Sequence, residues 1–105
     1  MVWLVLFLAG IFEVAWVFAL KASEGMTRVV PASLAALFAI VSLALLAVAL
    51  KQLPLGVAYA VWTGMGVVGA ALLGAFVLGE GMSALRALFM VFIVTGIVGL
   101  KVTSG

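Results

Sequence analysis

The sequence predicts an all-α integral membrane protein with four transmembrane helices in one domain over residues 1–105. Hydrophobic residues make up 70% of the chain and charged residues 8%, whereas soluble domains have about 45–50% and about 25%. The apolar residues fall into four runs, each close to the ~20 residues that a helix needs to cross a bilayer. The connecting segments KASEGMTR, KQLP and GEG are so short that successive helices must be antiparallel neighbours.

The four apolar runs predict helices over residues 2–20, 29–50, 55–78 and 82–100. We expect the first helix to stay in the mature chain, because no positively charged segment precedes it. Pro31 and Pro54 lie near the starts of the second and third helices, where the missing N–H group costs little. Arg86 lies four residues into the fourth helix, and its long side chain can reach the lipid headgroups.

The charged and chemically reactive residues exclude several classes of function. Five basic residues stand against three acidic ones, and the chain contains neither cysteine nor histidine. So few charges provide no footprint for a nucleic acid, and the usual ligands of a transition-metal site are missing. No pairing of a nucleophile with a base can be assembled. We therefore predict no enzyme activity, no metal, no cofactor and no nucleic-acid partner.

Glu13 is the acidic side chain placed deep within a predicted span. At about 1.5 Å per residue, Glu13, Ser42, Tyr59 and Trp62 lie at depths of about 9–16 Å from the same membrane face. A charge at mid-membrane costs about 2.5–3.5 kcal/mol on insertion scales, so Glu13 is expected to face protein or water. Ser42, Tyr59 and Trp62 are the predicted hydrogen-bond donors to its carboxylate, and Trp16 lies on nearly the same face of the first helix.

Each of these residues also has a purely structural interpretation. Glu13 could join two helices through a hydrogen bond, and Ser42 could bond a carbonyl of its own helix. Tyr59 and Trp62 could belong to the belt of aromatic residues at the membrane interface. Their shared depth is what favours a site.

Small residues predict where helix backbones approach one another. The third helix has two stripes at a spacing of four, Gly56–Ala60–Gly64 and Gly66–Ala70–Gly74, and such stripes permit close helix contact. The segment from Gly64 to Gly66 is also a candidate kink. Gly96 and Gly99 of the fourth helix provide a further small surface, suited to packing against a second copy.

Three segments taken in order resemble the small multidrug resistance transporters over essentially the whole chain. They are FEVAW in the first helix, KASEGMTR in the first connection and LPLGVAYAVWTGMG at the start of the third helix. Trp16, directly after EVA, and the GLK that ends the fourth helix are similar to the guanidinium-exporter branch. Val57 departs from that branch, which often has threonine there.

The resemblance implies a role for each site residue. Glu13 is the carboxylate shared by proton and substrate, Trp16 and Ser42 orient it, and Tyr59 and Trp62 complete the pocket. Gly10 and Thr63 are supporting residues, and Gly64, Gly66 and Gly96 are the glycines of helix packing and bending.

The family resemblance also implies proton-coupled export of small guanidinium cations across the bacterial inner membrane. The implied assembly is a homodimer of two copies inserted in opposite orientations. The distribution of basic residues permits both orientations. Two of them, Lys51 and Lys101, lie on the membrane side of the N-terminus, and three, Lys21, Arg28 and Arg86, lie on the other side. A difference of two against three basic residues fixes orientation weakly.

Three functional hypotheses remain open from the sequence. The first is a guanidinium exporter, with guanidinium, protons, membrane lipid and a second copy as partners. The second is a promiscuous exporter of quaternary-ammonium and other lipophilic cations, and the third is a membrane subunit that does not transport.

Overall fold

The computed structural model describes residues 1–103, which form four long α-helices joined by short connections. The helices are α1 (Val2–Ala22), α2 (Val29–Ala49), α3 (Leu55–Phe76) and α4 (Ala84–Thr103). All four are long and apolar enough to cross a membrane.

The helix ends differ from the predicted ones by up to three residues, and local hydrogen bonds explain two of the differences. Ser23 follows α1, and its hydroxyl both donates to the Leu20 carbonyl and accepts the N–H of Met26. The helix therefore continues to Ala22 rather than Leu20. Ser83 caps α4 by accepting the N–H of Arg86 at 3.1 Å, so that α4 begins two residues later than predicted.

Helix α1 is the centre of the bundle, because it packs on α2 along one side and on α3 along another. The backbone of α4 packs closely on α3 alone, and α4 has no buried residue within the described range. The main apolar core lies at the end of the molecule that carries the N-terminus. It is formed by Leu6, Ala9, Leu46, Ala49, Ala58 and Val61.

Glycines of α3 let two neighbouring helices approach its backbone. A Cβ atom added at Gly69 would overlap the side chain of Val14, and one at Gly64 would lie 2.8 Å from Ile97. These two glycines face different helices, since Val14 belongs to α1 and Ile97 to α4. Close packing of this kind is how helices associate in membranes.

The predicted stripe Gly56–Ala60–Gly64 is wrong as a continuous contact surface within one chain. A Cβ atom at Gly56 would meet nothing within 4 Å, whereas Gly64 packs on α4. The reason is that α4 packs against the middle of α3, at Gly64, and not against its first turns, where Gly56 lies. Gly96 and Gly99 are also open, so their packing against a second copy stays a prediction.

At the end of the molecule away from the N-terminus, the α3–α4 connection folds back toward α1. The N–H of Glu80 donates to the Gly74 carbonyl at 2.8 Å. The Glu80 carboxylate pairs with Lys21 Nζ at 3.4 Å, with both side chains more than half exposed. Exposed pairs of this kind contribute about 0–1 kcal/mol.

The contact between Val14 and Gly69 leads to a stability prediction. We expect Gly69→Ala to lower the apparent melting temperature of the purified protein, because the new Cβ displaces Val14, whose β-branched side chain has little rotamer freedom. Overpacking of this type costs about 1–3 kcal/mol. The matched control is Gly56→Ala in the same helix, which we expect to be neutral or slightly stabilising. A Gly69→Ala protein as stable as the control would contradict the packing described.

Candidate functional site

Glu13 lies in the middle of α1 and points at α3. The side chain is half-buried, and its Oε2 atom is buried without a hydrogen-bond partner among residues 1–103. A Cβ atom added at Gly66 would lie 2.5 Å from Oε2. The glycine at position 66 therefore provides the room that the carboxylate occupies.

Ser42 joins three helices next to Glu13. It is fully buried on α2, where its hydroxyl donates to the Ala9 carbonyl of α1 at 2.7 Å. The same hydroxyl accepts the indole N–H of Trp62 on α3 at 2.9 Å. The interpretation of Ser42 as a partner of its own helix is thus wrong, because its bond goes to a neighbouring helix.

The predicted hydrogen bonds from Ser42, Tyr59 and Trp62 to Glu13 are not formed within residues 1–103. For Ser42 the reason is geometric, because this residue lies opposite Ala9, one turn before Glu13 in α1. In an α-helix the carbonyl of residue 9 is also the acceptor for the N–H of residue 13. Ser42 therefore contacts the backbone beneath Glu13 rather than its carboxylate.

Tyr59 and Trp62 form an aromatic pair on α3. Their ring centroids are 5.9 Å apart with an angle of 34° between the planes. Trp62 is half-buried and its N–H is held by Ser42, whereas Tyr59 is 56% exposed. The pair extends from the three-helix junction at Ser42 to the surface of the chain.

The other predicted site residues, Trp16, Thr63 and Gly10, differ in how deeply they are buried. Trp16 is half-buried on α1 and makes no hydrogen bond to Glu13 in the described part of the chain, while Thr63 is exposed on α3. Gly10 is buried, and a Cβ atom there would lie 2.7 Å from Met65 Cε.

Two contacts beside the site were not predicted from the sequence. Met65 fills the space over Gly10, and Phe12 pairs with Phe38 of α2 at a centroid distance of 5.9 Å. Because Phe12 immediately precedes Glu13, its contact with Phe38 packs α1 against α2 close to the level of the carboxylate. Uniformly apolar helices give no sequence signal for such pairs.

The arrangement suits a small organic cation. A buried carboxylate oxygen lacks a partner from the described residues, and an aromatic pair lies on the adjoining helix. A carboxylate attracts positive charge, and the faces of tryptophan and tyrosine rings do so as well.

Comparison with known proteins is in accord with this geometry. Residues 1–93 match the family model "Small Multidrug Resistance protein". Proteins named "Guanidinium exporter" from Escherichia coli O6:H1 and from Citrobacter freundii are each 48% identical to this chain over 104 residues. One of the same name from Escherichia coli K12 is 47% identical. In each case the alignment covers 99% of both proteins.

Four membrane-spanning helices and relatives named as exporters identify a multi-pass protein of the bacterial inner membrane. The family match covers most of the chain, and the relatives match along nearly all of it. The chain therefore belongs to the Small Multidrug Resistance protein family.

Proposed function

We propose that this protein is a proton-coupled antiporter that exports guanidinium and small substituted guanidinium cations, with proton and substrate competing for Glu13. The observation that carries the proposal is the buried Oε2 atom of Glu13, which has no hydrogen-bond partner within residues 1–103. Relatives that share almost half of the sequence are named guanidinium exporters, which supports the choice of cation. The protein is a transporter rather than an enzyme under this proposal.

Guanidinium fits a carboxylate by both charge and shape. It is planar and permanently charged near neutral pH, and two of its N–H groups can meet the two carboxylate oxygens in parallel hydrogen bonds. Tyr59 and Trp62 on α3 present ring faces, and a cation over such a face gains about 0.5–2 kcal/mol. Ser42 holds the Trp62 indole through its N–H, which leaves the ring face free to meet the substrate.

Competition between proton and cation couples their movements at one carboxylate. A protonated Glu13 has lost the negative charge that attracts guanidinium, and a bound guanidinium leaves no room for a proton on the same oxygens. The site therefore exchanges one cation for another, without a second coupling device. Outward movement of substrate follows when protons enter from the other side.

We propose that the working unit is a homodimer of two copies inserted in opposite orientations. Four helices are too few to enclose a pathway, and many transporters pair two halves of inverted topology around a central site. Two features support the pairing: α4 has no buried residue in the described range, and the space beside Gly96 and Gly99 is open. The near balance of basic residues between the two ends also permits both orientations.

The first prediction about transport concerns Glu13→Gln in purified protein reconstituted into liposomes. Because the amide carries no charge and takes up no proton, we expect proton-driven guanidinium uptake to be lost. For the unmodified protein, guanidinium affinity should fall with decreasing pH and approach about a tenfold loss per pH unit once the carboxyl is protonated. The variant should show no such pH dependence.

Glu24→Gln is the matched control, because Glu24 lies in the exposed α1–α2 connection. We expect this variant to retain uptake and the pH profile of binding. Proton-driven uptake by Glu13→Gln, or an affinity of the unmodified protein that is flat with pH, would refute the role of Glu13.

A second prediction separates guanidinium export from multidrug export. Trp16 is three residues from Glu13 on α1 and occupies volume that a bulky cation would need. Guanidinium should therefore be transported well, and a tetraarylphosphonium, which has no N–H donor, poorly. Trp16→Gly should lower guanidinium uptake about three- to tenfold through the loss of a ring face, and Trp16→Phe should retain most of it. Equal transport of both cations by the unmodified protein would replace this proposal with the multidrug one.

A third prediction tests the antiparallel dimer. Two lysines added to the α2–α3 connection beside Lys51 should place most copies with the N-terminus in the cytoplasm. We expect this variant alone to be inactive and to regain activity when it is mixed with a variant of opposite bias. Accessibility labelling establishes the orientation in each preparation. Full activity from one uniformly oriented population would be incompatible with the proposed dimer.

A further inference from the structure

An apolar groove lies outside the candidate site, between α1 and α4, at the end of the molecule that carries the N-terminus. Its volume is about 350 Å³, which falls within the usual range of sites for small molecules. We call it the α1–α4 groove. Its walls and floor include Leu4 and Phe7 of α1, Val61 and Met65 of α3, and Val98 and Val102 of α4.

The α1–α4 groove is open along the side of the bundle. The backbones of α1 and α4 do not approach each other closely in the described structure, and α3 closes the space between them from one side. Leu4 and Phe7 are each about half exposed. Within the hydrocarbon core, such a surface is in contact with lipid acyl chains unless another protein covers it.

A positive charge lies at the end of the groove nearest the membrane interface. Lys101 lines the groove near the end of α4, and its Nζ is 5.4 Å from the ring centroid of Trp3 near the start of α1. The chain has three acidic residues in all. Glu13 lies in mid-span, and Glu24 and Glu80 lie in connections at the opposite end of the molecule. Within one copy of the chain, no described carboxylate side chain therefore lies at the Lys101 end.

We propose that the α1–α4 groove binds an anionic phospholipid, with an acyl chain between α1 and α4 and the phosphate at Lys101. Trp3 would contact the glycerol-ester region, because tryptophan side chains favour the level of the headgroups. Basic pockets between membrane helices bind anionic headgroups by the same combination of charge and shape. The lipid, rather than an acidic side chain, would then balance the charge of Lys101.

The proposed lipid site and the proposed dimer use different faces of α4. Gly96 and Gly99 do not line the groove, so a second copy that packs on these glycines leaves the groove accessible. The lipid proposal therefore goes beyond the transport function and does not depend on which cation is exported.

The test is to measure how tightly spin-labelled phosphatidylglycerol and phosphatidylcholine associate with the reconstituted full chain. We expect the unmodified protein to favour phosphatidylglycerol about fivefold, as one interfacial lysine provides. Lys101→Gln should lose this preference. Lys51→Gln is the matched control, because Lys51 is an exposed lysine outside the groove, and it should keep the preference.

A second variant tests the acyl-chain part of the site. Val98→Trp fills the groove and should lower the number of motionally restricted lipids per protein for both lipids. The proposal is overturned if the unmodified protein shows no preference, if Lys51→Gln and Lys101→Gln lower the preference equally, or if Val98→Trp leaves lipid association unchanged. Efficient disulfide cross-linking between two copies of Val98→Cys would also overturn it by assigning the groove to a protein interface.

Discussion

A carboxylate in the middle of an apolar membrane span is the constraint on which the arrangement of the other helices depends. Leaving such a group in hydrocarbon is costly, so α1 has to place Glu13 against protein. It does so at Gly66, where the lack of a side chain leaves room for the carboxylate. A larger residue at position 66 would push α3 away from α1. The position of the α3 backbone therefore depends on the contact between Gly66 and the Glu13 carboxylate.

The contacts around this point are unevenly distributed. Ser42 bonds both the Ala9 carbonyl and the Trp62 indole and so joins α2, α1 and α3 on the side of the N-terminus. The buried apolar cluster lies on that same side. Toward the other end, α1 and α3 meet through Val14 over Gly69 and through the exposed Lys21–Glu80 pair. The end of the molecule that carries the N-terminus is therefore the more tightly packed of the two.

Helix α4 stands apart from this three-helix unit. Its backbone packs closely on α3 alone, where Ile97 packs over Gly64. One of its faces borders the α1–α4 groove, and another presents Gly96 and Gly99 to open space. The two faces provide surfaces for the two partners proposed here, a lipid and a second copy. Neither of these two surfaces of α4 includes Glu13, which lies on α1.

The class of fold and the residue most worth testing follow from the amino-acid sequence. Four apolar runs of about 20 residues predict four spans whatever their neighbours, and a glutamate at mid-span stands out because its cost in hydrocarbon is large. The depths of Ser42 and Trp62 also indicated correctly that these residues lie close together. Family membership agrees with the motifs read from the chain.

The hydrogen-bond partners of the polar side chains follow from the packing of the helices. In a membrane, lipid and protein interior are both apolar, so hydrophobic periodicity does not show which face of a helix is buried. For that reason the sequence could not reveal that Ser42 faces Ala9 instead of Glu13, or that Gly56 is open while Gly69 is covered. The ends of α1 and α4 likewise depended on hydrogen bonds of Ser23 and Ser83, which hydropathy does not register. The direction in which each side chain points around its helix axis relative to the other helices is known only once the helices are packed together.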